Sequence, residues 1–181
     1  AATSLIVVDA SGGVLRVPQA FYSLTVNPGV TTTFGSSVLW SGVLTLTGAT
    51  VTVGGSVTSS GAATLNLGSG LLVVAGSWDT SSATAFTAPG SSVTFTGSGQ
   101  ALTLGAGQTF GTLVIVGSVA LGSDATATSL TVDAAGTLTK TGHAIAFNTL
   151  TVNGTLVDGS VNVTSLAVTN SDATALVTVS I

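Results

Sequence analysis

The chain has 181 residues, of which 45% are hydrophobic and only 4% are charged, and its formal net charge is −4. Two basic residues cannot form the clustered patch that neutralises phosphates, so the composition argues against a nucleic-acid partner and against polybasic membrane attachment. The lack of cysteine excludes disulfides and thiolate metal sites. We also expect no membrane insertion, because no aliphatic stretch approaches the ~20 residues needed to span a bilayer.

A short pattern, one apolar residue, one variable residue and another apolar residue, recurs along the chain and predicts short strands. It occurs at residues 24–26, 44–46, 65–67, 113–115, 130–132, 150–152 and 166–168, and in a looser form at 84–86, where Thr84 takes the first place. Strands that repeat at intervals of about twenty residues are typical of a solenoid, in which each coil buries its apolar face on the next. Glycine, asparagine and aspartate supply turns between them. The sequence therefore predicts an all-β fold, a right-handed parallel β-helix of roughly nine coils.

A longer repeat lies over the short one. Residues 21–26 match residues 110–115, which lie 89 positions further along the chain. We therefore predict one β-solenoid domain over residues 1–181 with an internal two-fold duplication. Its predicted parts are connector 4–19 with block 21–91, connector 92–108 with block 110–175, and a C-terminal strand at 176–181.

The aromatic residues are candidates for the core. Phe21, Phe110 and Phe147 each stand three residues before a leucine of the repeated pattern, so we expect them to fill a wide part of the interior. We expect Trp40 to be a core residue as well. Tyr22 and Trp78 are open to two interpretations, as core fillers or as exposed contacts.

Several longer segments resemble a known group of proteins. They are residues 76–80, 86–99, 110–116 and 147–155, which read GSWDT, FTAPGSSVTFTGSG, FGTLVIV and FNTLTVNGT. Together the chain resembles the tandem-repeat β-helix regions of secreted bacterial and archaeal surface proteins, both adhesin-like and autotransporter-passenger-like. The resemblance implies a surface or extracellular β-helix used for adhesion or scaffolding, with no catalytic set to carry over.

The chain offers little material for chemistry. Asp133 and Asp158 are the best candidates for a carboxylate pair, but each stands in an ordinary turn sequence. His143 is the only histidine and cannot form a histidine metal site alone. We expect no enzyme, no cofactor and no metal.

Sequence features outside the strands favour an extracellular location. Lysine is scarce and glutamate is absent, and the chain begins Ala-Ala-Thr, which fits a mature end after signal cleavage and fits a fragment equally well. Two N-glycosylation sequons occur, at Asn153 and Asn162. In so threonine-rich a chain, both can arise by chance.

Both ends of the sequence read as bare apolar strands without the polar caps that keep soluble solenoids monomeric. We predict that the chain is a structural subunit of an extracellular filament that binds copies of itself head to tail. The predicted interface consists of Leu5, Ile6, Val7, Val8, Leu176, Val177, Val179 and Ile181.

Two other functions stay open. One is a cell-surface adhesin or stalk that binds glycans, with Tyr22 and Trp78 as platforms. The other, less favoured, is ice binding, which needs Thr-x-Thr pairs in register on a flat face. Outward pairs taken from the repeated pattern are mixed, as in Val43 with Thr45 and Thr64 with Asn66.

Overall fold

A computed structural model describes residues 5–15 and 20–157, together with the backbone of residues 162–166. In this part of the chain every paired strand is parallel and no helix occurs. The strands form three sheets, which are the three sides of one coil. The predicted all-β parallel solenoid is confirmed.

Sheet A has five strands. In stacking order they are β1 (Leu5–Val8), β3 (Ser23–Val26), β6 (Val43–Thr45), β9 (Thr64–Asn66) and β12 (Ala85–Thr87).

Sheet B has nine strands and runs the whole described length. In stacking order they are β2 (Val14–Leu15), β4 (Thr31–Phe34), β7 (Thr50–Val53), β10 (Leu71–Val74), β13 (Ser92–Phe95), β15 (Thr109–Ile115), β17 (Ala125–Val132), β19 (Ile145–Val152) and β21 (Asn162–Leu166).

Sheet C has seven strands. In stacking order they are β5 (Val38–Trp40), β8 (Val57–Ser59), β11 (Trp78–Asp79), β14 (Gln100–Thr103), β16 (Ser118–Leu121), β18 (Thr137–Thr139) and β20 (Thr155–Val157).

The coils are numbered here by their sheet B strand, from coil 1 with β2 to coil 9 with β21. Coil 1 is described through β1 and β2, and coil 9 through β21 alone. About seven turns are therefore complete, which is fewer than the nine predicted. The difference equals the two end coils, which are described only in part.

The interior is a set of stacked apolar columns. Along each sheet B strand, alternate side chains point inward, as the two-residue period of a strand requires. One inward column runs from Val51 through Leu72 and Val93 to Leu113, and all four side chains are buried. Phe21, Phe110, Phe147 and Trp40 are also buried, as predicted.

The corner between sheets A and B changes along the solenoid. In coils 2 to 5 a four-residue turn separates the two strands, at residues 27–30, 46–49, 67–70 and 88–91. From coil 6 onward the turn is gone, and the long strands β15, β17 and β19 run through both sides. Gly111 lies at the first such corner, where an added Cβ would come within 2.6 Å of the Ser91 carbonyl oxygen. The lack of a side chain therefore allows the shorter corner to stack on the longer one.

This change of corner overturns one part of the sequence interpretation. The repeated pattern lies in sheet A at Leu24, Leu44 and Leu65, but in sheet B at Leu113 and Leu130. The eight occurrences therefore do not stack as one ladder. The matching segments 21–26 and 110–115 lie on different sheets for the same reason, and the proposed duplication stays a prediction.

The outward side chains of sheet B form two aligned columns on one side of the solenoid. We call this surface the sheet B flank and define it over coils 2 to 8. Its first column is Thr31, Thr50, Leu71, Ser92, Thr112, Ser129 and Thr149, and its second is Thr33, Thr52, Val73, Thr94, Val114, Thr131 and Thr151.

Candidate functional site

The edge of coil 1 is the part of the described structure that best fits a binding site. Among the described strands, β1 pairs with β3 alone, so its second edge faces away from the solenoid. The amide of Asn27 donates to the carbonyl of Val8 (2.9 Å), which shows that the backbone of Val8 faces β3. Because backbone groups alternate along a strand, the amides and carbonyls of Leu5 and Val7 point to the open edge.

The predicted apolar residues of β1 divide between two surfaces. Ile6 and Val8 pair in register with the inward residues Leu24 and Val26 and therefore face the core. Leu5 and Val7 face outward and are 68% and 54% exposed. The structure thus turns Ile6 and Val8 toward the interior of coil 1, where Val8 is buried and Ile6 is half-buried, and leaves Leu5 and Val7 on its outer side.

The other predicted interface residues, Leu176, Val177, Val179 and Ile181, lie outside the described residues. The structure instead adds two residues that the sequence did not single out. Val14 is 66% exposed, and Leu15 is half-buried against the core. Their strand β2 pairs with β4 through Val14 with Thr33 and Leu15 with Phe34. The spacing of nineteen residues between these partners is the signal from which β2 could have been predicted.

The interpretation of Trp78 as a glycan platform is wrong, because its side chain is fully buried. Its ring packs edge-on against Phe95 and Phe110, with centroids 6.3 and 5.4 Å away. Its Nε1 donates to the Thr80 hydroxyl (2.9 Å), and that hydroxyl donates to the Gln108 side-chain carbonyl (2.6 Å). These contacts make Trp78 part of a buried polar and aromatic cluster.

Tyr22 is 44% exposed and remains available to a ligand. Its ring lies against the backbone of Gly42, where an added Cβ would come within 3.0 Å of Tyr22 Cε1. A glycan that bound at this position would therefore stack on a single aromatic ring, that of Tyr22, among the described residues.

The two sequons differ in what the structure says about them. Asn153 is half-buried, and its Oδ1 is buried without a hydrogen-bond partner in the described part of the chain. This enclosed amide disfavours attachment of a sugar at Asn153. Asn162 lies in β21, whose side chains are outside the description, so its modification stays a prediction.

The candidate carboxylate pair is not assembled within the described residues. Asp133 is exposed at a corner, where its Oδ1 accepts a hydrogen bond from the amide of Ala134 (2.9 Å), as expected for a turn residue. Asp158 lies outside the described residues. The sequence prediction for this pair therefore stays untested.

A different acid–base pair, which sequence reasoning missed, lies where the corner before β17 stacks on the corner before β19. Asp124 Oδ1 is 3.6 Å from His143 Nδ1 and accepts a hydrogen bond from the amide of Ala144 (2.9 Å). The pair borders an open cleft of about 590 Å³ together with Gln108 and Thr126. Asp124 and His143 are one coil length apart in sequence, which is the signal that could have found them.

This pair fits a structural role between coils better than a reactive one. Asp124 is 77% exposed, and its carboxylate holds the turn that follows His143. The described residues contain no group of three or more histidine, cysteine, aspartate or glutamate side chains that could hold a metal ion.

Comparisons with known proteins give no family. A scan against protein-family models and searches of curated proteins and of solved structures find no significant match. The part of the chain that the structure describes contains no helix that could span a bilayer. The class that the structure defines is thus a parallel β-solenoid of repeated coils.

Proposed function

We propose that the protein is a structural subunit of an extracellular filament, in which copies stack head to tail through the open edge of coil 1. The observation that carries the proposal is the edge of β1, whose Leu5 and Val7 backbone groups point away from β3. A parallel solenoid is suited to this contact, because a strand added at one end continues the same direction and register. The contact uses different surfaces on the two copies, so it propagates into an open fibre.

The magnitudes indicate that backbone pairing is needed as well as apolar burial. Covering roughly 300 Å² of apolar end surface at ~25 cal/mol per Å² stabilises the contact by about 7 kcal/mol. Losing translational and rotational freedom costs about 4–15 kcal/mol. Burial alone therefore leaves a weak contact. Pairing along the open edges of the strands supplies both further stabilisation and the register.

The low charge of the chain favours the same assembly. Six acidic and two basic residues are spread over 181 positions, so repulsion between copies is weak. The resemblance to secreted β-helix surface proteins supports the extracellular location. The alternative, a glycan-binding adhesin, is supported among the described candidates by the exposed ring of Tyr22.

The test uses a backbone substitution at Val7. Val7→Pro removes an amide that points to the open edge and leaves the pairing with β3 intact, since proline is tolerated at edge positions. Val7→Ala is the matched control, because it shortens the same outward side chain and keeps the amide. Electron microscopy and sedimentation of both variants and of the wild type measure assembly.

We expect filaments from the wild type and from Val7→Ala, and dispersed subunits from Val7→Pro. Stacking of the nine sheet B strands predicts an axial length of at least about 43 Å for each subunit, at ~4.8 Å per coil. Wild-type protein that stays dispersed at high concentration, or Val7→Pro that assembles as well as Val7→Ala, overturns the proposal. Glycan binding that is lost on replacing Tyr22 supports the adhesin instead.

A further inference from the structure

The sheet B flank carries a pattern that the sequence interpretation did not show. Five of its seven coils present a hydroxyl side chain at both outward positions, for example Thr50 with Thr52 and Thr149 with Thr151. The outward pairs taken from the repeated sequence pattern are mixed, because in the first half of the chain that pattern lies in sheet A rather than in sheet B. No charged residue stands at any of the fourteen positions of the flank.

The apolar residues of the flank are not scattered. Leu71 and Val73 stand together in coil 4, and Val114 stands in coil 6. Coil 5, with Ser92 and Thr94, lies between them and is the middle of the seven coils. Leu71 is 40% exposed although its strand lies within the sheet. The apolar residues of the flank thus lie in coils 4 and 6, on either side of the polar coil 5, and the outer coils carry hydroxyl side chains alone.

We propose that the sheet B flank binds the same flank of a second copy, with the two solenoids antiparallel and related by a two-fold axis through coil 5. This axis sets coil 4 of one copy against coil 6 of the other and keeps each column opposite itself. Val73 then meets the Val114 of the second copy, and Leu71 meets the methyl group of its Thr112, twice in each pair of copies. Both flanks repeat at ~4.8 Å, so the remaining threonines stay in register along the interface.

The area of the flank decides whether this contact can hold two free subunits together or only subunits that are already aligned in a fibre. Seven coils of four-residue strands cover roughly 34 by 13 Å, or about 440 Å² on each copy. Stable pairs of proteins bury ~800 Å² on each partner, so two free subunits associate weakly through this surface. Subunits already aligned in a fibre present the contact many times over, and the contacts then act together. The inference rests on the proposed filament and adds that filaments associate laterally into bundles.

A cysteine placed near the two-fold axis tests the geometry without filaments. Thr94 stands in coil 5, so Thr94→Cys brings two thiols of different copies opposite each other in a chain that has no other cysteine. Thr45→Cys is the matched control, an outward and half-exposed threonine of sheet A. Under mild oxidation of concentrated protein, we expect several times more disulfide-linked dimer from Thr94→Cys. Equal yields from the two variants overturn the proposal.

A lysine in place of the apolar Val73 of coil 4 tests the consequence for fibres. Val73→Lys would bury an unpaired charge between two flanks, whereas Thr45→Lys places the same charge on sheet A. We expect electron micrographs to show single filaments for Val73→Lys and bundles for the wild type and for Thr45→Lys, with the bundled fraction lowered about ten-fold or more.

The outcomes separate this inference from the proposed function. If no variant forms filaments, the proposed function fails, and the Thr94→Cys dimer still decides the flank. If filaments form and Val73→Lys bundles as the wild type does, lateral pairing through this flank is overturned. If the wild type shapes growing ice crystals and Val73→Lys does not, the partner is ordered water, and self-association is again overturned.

Discussion

Phe86 and Phe110 pack edge to face, with ring centroids 5.3 Å apart and planes at 86°. Phe86 belongs to β12, the last strand of sheet A, and Phe110 belongs to β15, the first strand that runs through the corner without a turn. The two rings therefore join the coils that have a four-residue turn between sheets A and B to the coils that have none. Trp78 packs on both of them from sheet C.

Replacing Phe110 tests how much this junction contributes to stability. Phe110→Ala removes a fully buried ring and leaves a cavity beside Trp78, so we expect the free energy of unfolding to fall by about 3–5 kcal/mol. Denaturant unfolding followed by tryptophan fluorescence measures the change. Tyr22→Ala, at a half-exposed ring, is the comparison. A loss from Phe110→Ala no larger than that from Tyr22→Ala would show that the junction collapses without cost.

The close approach at Gly111 gives a second prediction. Gly111→Ala would place a Cβ 2.6 Å from the Ser91 carbonyl oxygen, so the two corners would have to separate. We expect a destabilisation of about 1–3 kcal/mol, as for overpacked interiors. Gly13→Ala is the control, because no atom lies within 4 Å of its Cβ position. Equal melting temperatures for the two variants would contradict the stacked-corner geometry.

The buried hydroxyl of Thr80 gives a third prediction, which concerns stability. Thr80→Val keeps the shape of the side chain but leaves Trp78 Nε1 and the Gln108 side-chain carbonyl without their partner. Each buried polar group left unpaired costs about 1–3 kcal/mol, so we expect a clear loss of stability in denaturant unfolding. Thr58→Val, on the outward side of sheet C, should be close to neutral. A neutral Thr80→Val would mean that other groups replace the lost bonds.

The end surface of coil 1 gives a fourth prediction, which concerns filament assembly. Ile6→Lys places a charge where a second copy would cover the core, so we expect filament assembly to be lost, while the subunit stays folded by circular dichroism. Val43→Lys puts the same charge on the exposed outer side of sheet A and should leave assembly unchanged. If Ile6→Lys still forms filaments, the head-to-tail contact lies elsewhere.

The Asp124–His143 pair gives the last prediction, which concerns thermal stability. Asp124→Asn keeps an oxygen that can accept from the amide of Ala144, whereas Asp124→Ala removes it. Because both side chains are exposed, any attraction between the Asp124 carboxylate and a protonated His143 should contribute at most about 1 kcal/mol. We therefore expect Asp124→Asn to melt close to the wild type and Asp124→Ala to melt lower. An equal loss in both variants would assign the contribution to charge rather than to the hydrogen bond.

Particular residues show how far the sequence could be interpreted. The alternation of Leu130, Thr131 and Val132 was enough to predict a strand with one buried face, because side-chain direction in a strand is a local property. Phe21 was predicted to be a core residue from its place three residues before Leu24, Trp40 was expected in the core as well, and both are buried. Trp78 was left open, because its neighbours in sequence read as a turn, and its packing partners Phe95 and Phe110 come from two other coils.

The class of fold could be predicted from the residue pattern alone, since periodic apolar residues, turn formers and scarce charge leave few ways to bury the chain other than stacked coils. Which strand lies on which sheet, in contrast, is a result of three-dimensional packing. That assignment depends on whether a corner holds four turn residues or none, and each choice is fixed by the coil beneath it rather than by local preference. The sheet B flank and the open edge of Val7 both follow from it, because direction and exposure are properties of the stacked assembly.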